Sequence, residues 1–148
     1  MLTTVRDILR TKGTDLWFVN PETHLIDALK LMAVKDVGAL LVLEDKAVAG
    51  IISERDFVRR IALKEQCTLD DPVSEMMTPD VITVNPSQDI EECMEMMTEE
   101  HIRHLPVVEN GIPIGMVSIG DVIKSIITSH EFTIEQMEKY ISGSSYNR

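Results

Sequence analysis

Basic residues are scarce in this chain: 14 Lys and Arg stand against 25 Asp and Glu, a formal net charge of −11. A surface of that sign repels nucleic acid, whose binding relies on basic patches, and disfavours anionic membranes for the same reason. It still permits one small anionic ligand, because a few Arg or His side chains set the potential inside a cleft. Long apolar runs are missing as well; none approaches the roughly 18 residues needed to cross a bilayer. Cysteine is nearly absent. Cys67 and Cys93 stand alone, with no CxxC spacing and no disulfide framework. Met1 to Asp7 lacks the basic start and apolar core of a signal peptide. A reducing cytoplasm is the simplest expected location. Aromatics make up only 4%, so any core must be built from aliphatic side chains and Met.

The usual signatures of catalysis are also lacking. His24, His101, His104 and His130 do not combine with Cys in a metal-ligand spacing. Neither Cys is flanked by a His or a basic cluster that would activate it as a nucleophile. No GxGxxG follows a strand, so Gly111 and Gly115 read as turn and strand glycines. Glu91, Glu92, Glu95, Glu99 and Glu100 fall on the outer face of a helix, where solvated surface is the ordinary role. The nine Met residues mostly recur at helix-core spacing, which suits packing better than a ligand groove.

What the chain does contain is a duplication. Shifted by 65 positions without a gap, Val19, Asn20, Pro21, Met32, Val42, Glu44, Gly50, Ser53 and Asp56 fall on Val84, Asn85, Pro86, Met97, Val107, Glu109, Gly115, Ser118 and Asp121. The identities cluster at element boundaries, which scattered chance matches would not do. Each unit reads the same way. A short helix, Val5–Arg10 or Val73–Met77, precedes a compact strand, Leu16–Val19 or Val81–Val84, stopped by Asn-Pro. An amphipathic helix over 22–35 or 87–100 follows, then a strand, turn, strand and helix. Ala39–Leu43, the turn 44–46, Ala47–Ser53 and Glu54–Leu63 are those last four elements in the first unit. The expected architecture is α/β (α+β), with two β-α-β-β-α repeats at 5–63 and 73–128 packed with pseudo-two-fold symmetry. Neither is large enough to bury its faces alone. Residues 64–72 form a linker. Residues 129–148 form a C-terminal helix, with Ile134, Met137 and Ile141 on one face and Gly143 as its stop, and a loose tail.

Two constellations stand out as sites. Ser-x-x-Asp follows a strand twice, as Ser53-Glu-Arg-Asp56 and Ser118-Ile-Gly-Asp121. Such a sequence is an ordinary helix start, with the Ser hydroxyl as cap and the Asp favoured by the helix dipole. The same start offers free N–H groups to an anion, and its carboxylate can accept from ribose hydroxyls. Arg103-His104 precedes a buried strand and is either an exposed strand start or, with Arg55, a phosphate-neutralising cluster. The matching residues of the first unit, Gly38 and Ala39, carry no charge. The two clefts should therefore differ.

In their order and double occurrence, Val81-Ile-Thr-Val-Asn-Pro86, Ile102-Arg-His-Leu-Pro-Val-Val108 and Gly115-Met-Val-Ser-Ile-Gly-Asp121, echoed by Phe18–Pro21, Val37–Val42 and Gly50–Asp56, resemble a tandem pair of cystathionine-β-synthase (CBS) domains, the Bateman module. The resemblance covers nearly everything from Val5 to Ile127. It implies a non-enzymatic regulatory pair that binds AMP, ADP, ATP, NAD or, less readily, S-adenosylmethionine. It also implies a homodimer and an unidentified protein target. In that family each cleft takes its ribose-binding Asp and hydroxyl from one repeat and its adenine-contacting strand from the other. Carried over, one cleft uses Ser53, Arg55 and Asp56 with Ile82, Thr83 and Val84, plus Arg103 and His104 for phosphate. The other uses Ser118 and Asp121 with Trp17, Phe18 and Val19, plus Gly38 and Ala39. Leu41 stands where the family usually has Pro, and three extra residues precede the first strand, so the second cleft is expected to accept no more than a nucleoside. The rival expectations are a structural dimerisation module with no ligand, and a nucleotide hydrolase built on the carboxylates.

Overall fold

The first unit runs through α1 (Val5–Lys12), β1 (Phe18–Val19), α2 (Leu25–Lys35), β2 (Ala39–Glu44), β3 (Ala47–Ser53) and α3 (Glu54–Leu63). A 3-10 turn at Val73–Glu75 opens the second, followed by α4 (Ile90–Glu100), β4 (His104–Glu109), β5 (Ile112–Ser118) and α5 (Ile119–Ser142). This computed structural model describes residues 3–63 and 69–142, apart from the side chains at 131–133, 136 and 140–142. Cys67, Gly143 and the expected loose tail lie outside the described residues. Mixed helices and small sheets of this kind, arranged twice, match the expected α+β class.

The two hairpins are near-copies because their turn chemistry is the same. Asp45 and Lys46 hold φ of 50° and 67°, and Asn110 and Gly111 hold 53° and 78°. Two successive positive-φ residues give the tight turn whose twist matches the flanking strands. Both ladders also slip by one residue at equivalent places, between Val42 and Leu43 and between Val107 and Val108.

The first strands are not copies. β1 pairs in parallel with β2 over Phe18–Leu41 and Val19–Val42, whereas the expected strand Val81–Val84 shrinks to one bridge between Val84 and Val107. The reason is a single missing donor. In the first unit the Leu41 N–H donates to the Trp17 carbonyl at 3.4 Å. Its counterpart is Pro106, which has no N–H, so the ladder cannot extend towards Ile82. Two helix starts also lie later than the periodicity suggests. His24 and Asp89 stay extended, so α2 begins at Leu25 and α4 at Ile90, the latter capped by the Asp89 carboxylate accepting from the Glu92 N–H at 2.8 Å. At the other end, the expected separate helix after 128 is a continuation of α5, since no Gly or Pro interrupts residues 121–142.

Each leading segment is exchanged. Val5, Ile8 and Leu9 of α1 are buried with Val84, Ile90, Cys93, Met97, Leu105, Val107, Val117 and Val122 of the second unit. Val73 is buried with Leu25, Ala28, Met32, Leu40, Val42, Ile52 and Phe57 of the first. Backbone bonds fix the exchange: the Val5 N–H donates to the Gln88 carbonyl, and the Val73 N–H to the Thr23 carbonyl. A Thr4–Asp7 capping box starts α1, and its hydrogen bonds hold the Asp7 carboxyl below the usual range. The exchange makes the two cores one folding problem.

Candidate functional site

Of the two Ser-x-x-Asp segments, Ser118–Asp121 is a full capping box with bonds in both directions, and Ser53–Asp56 forms the half in which the Asp carboxylate is the acceptor. The Ser53 N–H and hydroxyl donate to the Asp56 carboxylate at 2.8 and 3.1 Å. The Ser118 N–H donates to the Asp121 carboxylate at 2.9 Å, and the Asp121 N–H donates back to the Ser118 hydroxyl at 3.2 Å. These bonds pin each carboxylate at the mouth of a helix N-terminus, where the dipole favours negative charge. They hold it half-buried, in position to accept from a polyol. Capping is thus observed at both helix starts, and it leaves each carboxylate compatible with a ligand-binding role.

A cavity of about 390 Å³ opens beside the second of these segments, within the roughly 300–1,000 Å³ range of small-molecule clefts. Ser118 and Asp121 form one wall, with Trp17, Gly38 and Ala39 of the first unit opposite, as expected. Phe18 and Val19, expected there too, are not among its lining. Phe18 is 55% exposed, and Val19 is buried in the first core. Strand alternation turns Phe18 away from the face shared by Trp17 and Val19; Val19 is closed into the first core, while Trp17, packed against that core, also lines the cleft.

His104 is also placed differently from expectation. It lines this cavity, and a Cβ on Gly38 would stand 3.3 Å from its Nε2. Arg103 is exposed and outside the cavity lining. The structure thus parts the pair that the sequence joins. Burial pulls the His104 imidazole below its ordinary pKa, and Lys12 and Arg103 push the same way against Asp121. A neutral ring results at physiological pH, suited to hydrogen bonding rather than to charge neutralisation.

On the Asp56 side the repeats also meet. Arg55 donates from Nη1 to the His101 carbonyl at 3.0 Å, which brings the first helix start to the turn that carries Arg103. Ile82 packs on the second core, Thr83 is exposed and Val84 is buried. The β3 edge on this side is covered by backbone: Ile51 and Thr78 exchange two bonds of 3.0 and 2.9 Å, with the Met77 side chain over Gly50.

Of the lining residues that the sequence reading did not name, Lys12 is the one that bonds to the site. Lys12, at the end of the exchanged helix α1, donates from Nζ to the Asp121 carboxylate at 2.6 Å and to the Met116 carbonyl at 2.7 Å. Burial would raise the Asp121 carboxyl, yet the bonds from Lys12 and Ser118 outweigh it and hold it below the usual range. No local pattern signals this contact, which exists only because α1 crosses to the other unit.

Among the described residues no group of three His, Cys, Asp or Glu is placed to hold a metal, and no helix is long and apolar enough to cross a membrane. Cys93 is fully buried, and its thiol is pushed up to about 11 by burial, then by Asp89 and Glu92. It acts as a small core residue.

With this geometry in view, the CBS domain family model matches residues 4–63 and again 73–128. The chain belongs to the CBS-domain family. The mitochondrial CBS domain-containing protein CBSX3 of Arabidopsis thaliana is 37% identical over 151 residues, covering 95% of this chain and 73% of that protein. A protein with CBS domains from Burkholderia ambifaria superposes with a TM-score of 0.81 at 45% identity, covering 85% of this chain and 95% of that one. CBSX2, solved in complex with AMP, superposes with a TM-score of 0.72 at 28% identity, covering 85% and 97%. The resemblance read from the two repeats is thereby shown.

Proposed function

We propose that this CBS pair is a non-enzymatic regulatory module that holds an adenosine-containing ligand between its repeats. The observation that carries the reading is the Asp121 carboxylate, presented at a helix N-terminus in a cavity whose opposite wall comes from the other repeat, with Asp56 held equivalently at the start of α3. The structural likeness to an AMP complex supports an adenosine ligand. Asp56 and Asp121 would accept from ribose hydroxyls. Arg55 and Arg103 favour phosphate on the Asp56 side, so AMP, ADP, ATP or NAD suits that cleft. The cavity beside Asp121 carries Asp15, Asp36 and Asp121 against Lys12, and suits a nucleoside portion without a phosphate chain. Occupancy would stabilise one arrangement of the repeats, which a partner protein reads. Isothermal calorimetry with AMP and ATP tests this. We expect binding by the wild type and a loss of at least about tenfold in Asp56→Ala; no binding, or unchanged affinity in that variant, would sink the reading.

Self-association has its own support. Val58 and Ile61 on α3 are 66% and 61% exposed, and Ile127 and Met137 on α5 are 52% and 57% exposed. A second copy covering these helices would remove that apolar surface from water. Sedimentation should show a dimer in the wild type and a monomer in Ile127→Asp.

A further inference from the structure

The edges of β3 and β5 are equivalent by the 65-residue shift, yet they are satisfied differently. The Ile51 carbonyl receives the backbone N–H of Thr78. Its counterpart, the Met116 carbonyl, receives the ammonium of Lys12. The extra residues before β1 are the cause: after Gly13 the chain swings out through Asp15 and Leu16, lining the cavity instead of pairing with β5. A side chain takes the place of a backbone bridge. Backbone pairing cannot be removed without unfolding the segment, but a lysine side chain can rotate away.

We propose that Lys12 is an internal competitor for the Asp121 cleft, occupying the carboxylate that a nucleoside diol must reach, and that ligand binds there only by displacing it. This rests on the reading of Asp121 as a diol acceptor. The geometry is suited to a reversible blockade. Asp121 is the sole ion-pair partner of Lys12 among the described residues, with side-chain exposures of 36% and 24%. Its Oδ2 is thus already taken by one ammonium and one backbone N–H, so a diol that bonds to both oxygens must displace the ammonium. A diol offers two neutral donors in place of one charged donor, and it must also take up the volume beside Trp17 and His104. The stem of Lys12 lies at the cavity wall, so a displaced ammonium still has open solvent to rotate into. Asp56 has no such lysine on it among the described residues: its carboxylate accepts from the Ser53 N–H and hydroxyl. The asymmetry assigns the two clefts different thresholds, one open to ligand and one held shut until ligand is abundant.

Trp17 is the only tryptophan in the chain and lines the blocked cavity, so its fluorescence reports that cleft and not the other. The experiment is an adenosine titration of the full chain followed by Trp17 emission, in wild type, Lys12→Met, Lys12→Arg and Asp121→Asn. Lys12→Met keeps the stem and removes the charge, and should tighten adenosine binding by roughly tenfold or more, the scale of one charge-assisted bond. Lys12→Arg should stay close to wild type. Raising salt should strengthen wild-type binding by weakening the internal pair, and leave Lys12→Met flat. If Asp121→Asn abolishes the signal while Lys12→Met binds no tighter than wild type, the competitor role falls and the diol reading stands. If Asp121→Asn binds adenosine as wild type does, or no form responds, the diol reading falls and the competitor role with it.

Discussion

The two Ser-x-x-Asp half-sites follow the same hairpin, and they differ in their caps and in what lies along the hairpin edge. At β3 that edge is sealed by Thr78 backbone and Met77, and the cations Arg55 and Arg103 stand outside it. At β5 the edge is left open by a longer loop and stopped by Lys12, with the uncharged Gly38 and Ala39 opposite. Duplication copies a scaffold, and small changes in loop length then make two different sites of it. Three residues and one lysine separate the clefts more than any change in the sheet.

The largest test of the likeness lies in the cores. Leu40 and Leu105 are equivalent by the 65-residue shift and both 0% exposed. Each change to Ala should cost about 2–5 kcal/mol. Because α1 and Val73 are exchanged, both variants should lower a single unfolding transition in calorimetry by similar amounts. Two separate transitions would break the idea of one shared fold. Next come the edge glycines. A Cβ at Gly50 would stand 2.6 Å from the Met77 sulfur and 3.0 Å from the Thr78 carbonyl, and one at Gly115 would stand 2.8 Å from a Leu9 methyl. Both Gly→Ala changes should cost about 1–3 kcal/mol in urea unfolding. Gly50→Ala should cost more, because backbone yields less readily than a Leu side chain.

A smaller effect sharpens the difference in ligand. Gly120 stands where the first unit has Arg55, and a Cβ there meets only the Ser118 hydroxyl at 3.6 Å, an ordinary contact. Gly120→Arg should raise the preference of the Asp121 cleft for AMP over adenosine by about fivefold, and Arg55→Ala should lower that preference in the other cleft by a similar factor. Competition calorimetry measures both. The smallest effect is in pH. The folded His104 pKa lies below that of the unfolded chain, about 6.5. The unfolded state therefore binds the extra proton first as pH falls, and stability is lost from about pH 7 downwards. His104→Gln should flatten the melting temperature between about pH 7 and 5; an unchanged slope would show that other groups govern it.

Much of this was legible. Ala47–Ser53 and Glu54–Leu63 coincide with β3 and α3, because β-type runs, turn residues and a capping Ser agree there. The placement of Ser118, Asp121, Trp17, Gly38 and Ala39 around one cavity agrees with what the resemblance to the CBS family implied. Two differences had signals that carried too little weight. Pro106 announces that its strand cannot donate to a neighbour, and alternation along β4 separates His104 from Arg103. Lys12 had none. Its contact is long-range and depends on a helix leaving its own repeat, which local pattern does not encode.

That exchange of leading segments also sets an order of assembly during synthesis. Every buried residue of the first core has been made once Val73 has emerged, but Leu9 waits for Val117 and Val122, about 110 residues further along the chain. At about 5–20 residues per second, α1 spends several seconds with its own apolar face unmet. If the two cores close together, a chain halted after Glu75 should leave the amides around Leu40 as open to hydrogen exchange as those of Ile8 and Leu9. The amino terminus is thus made first and settled last.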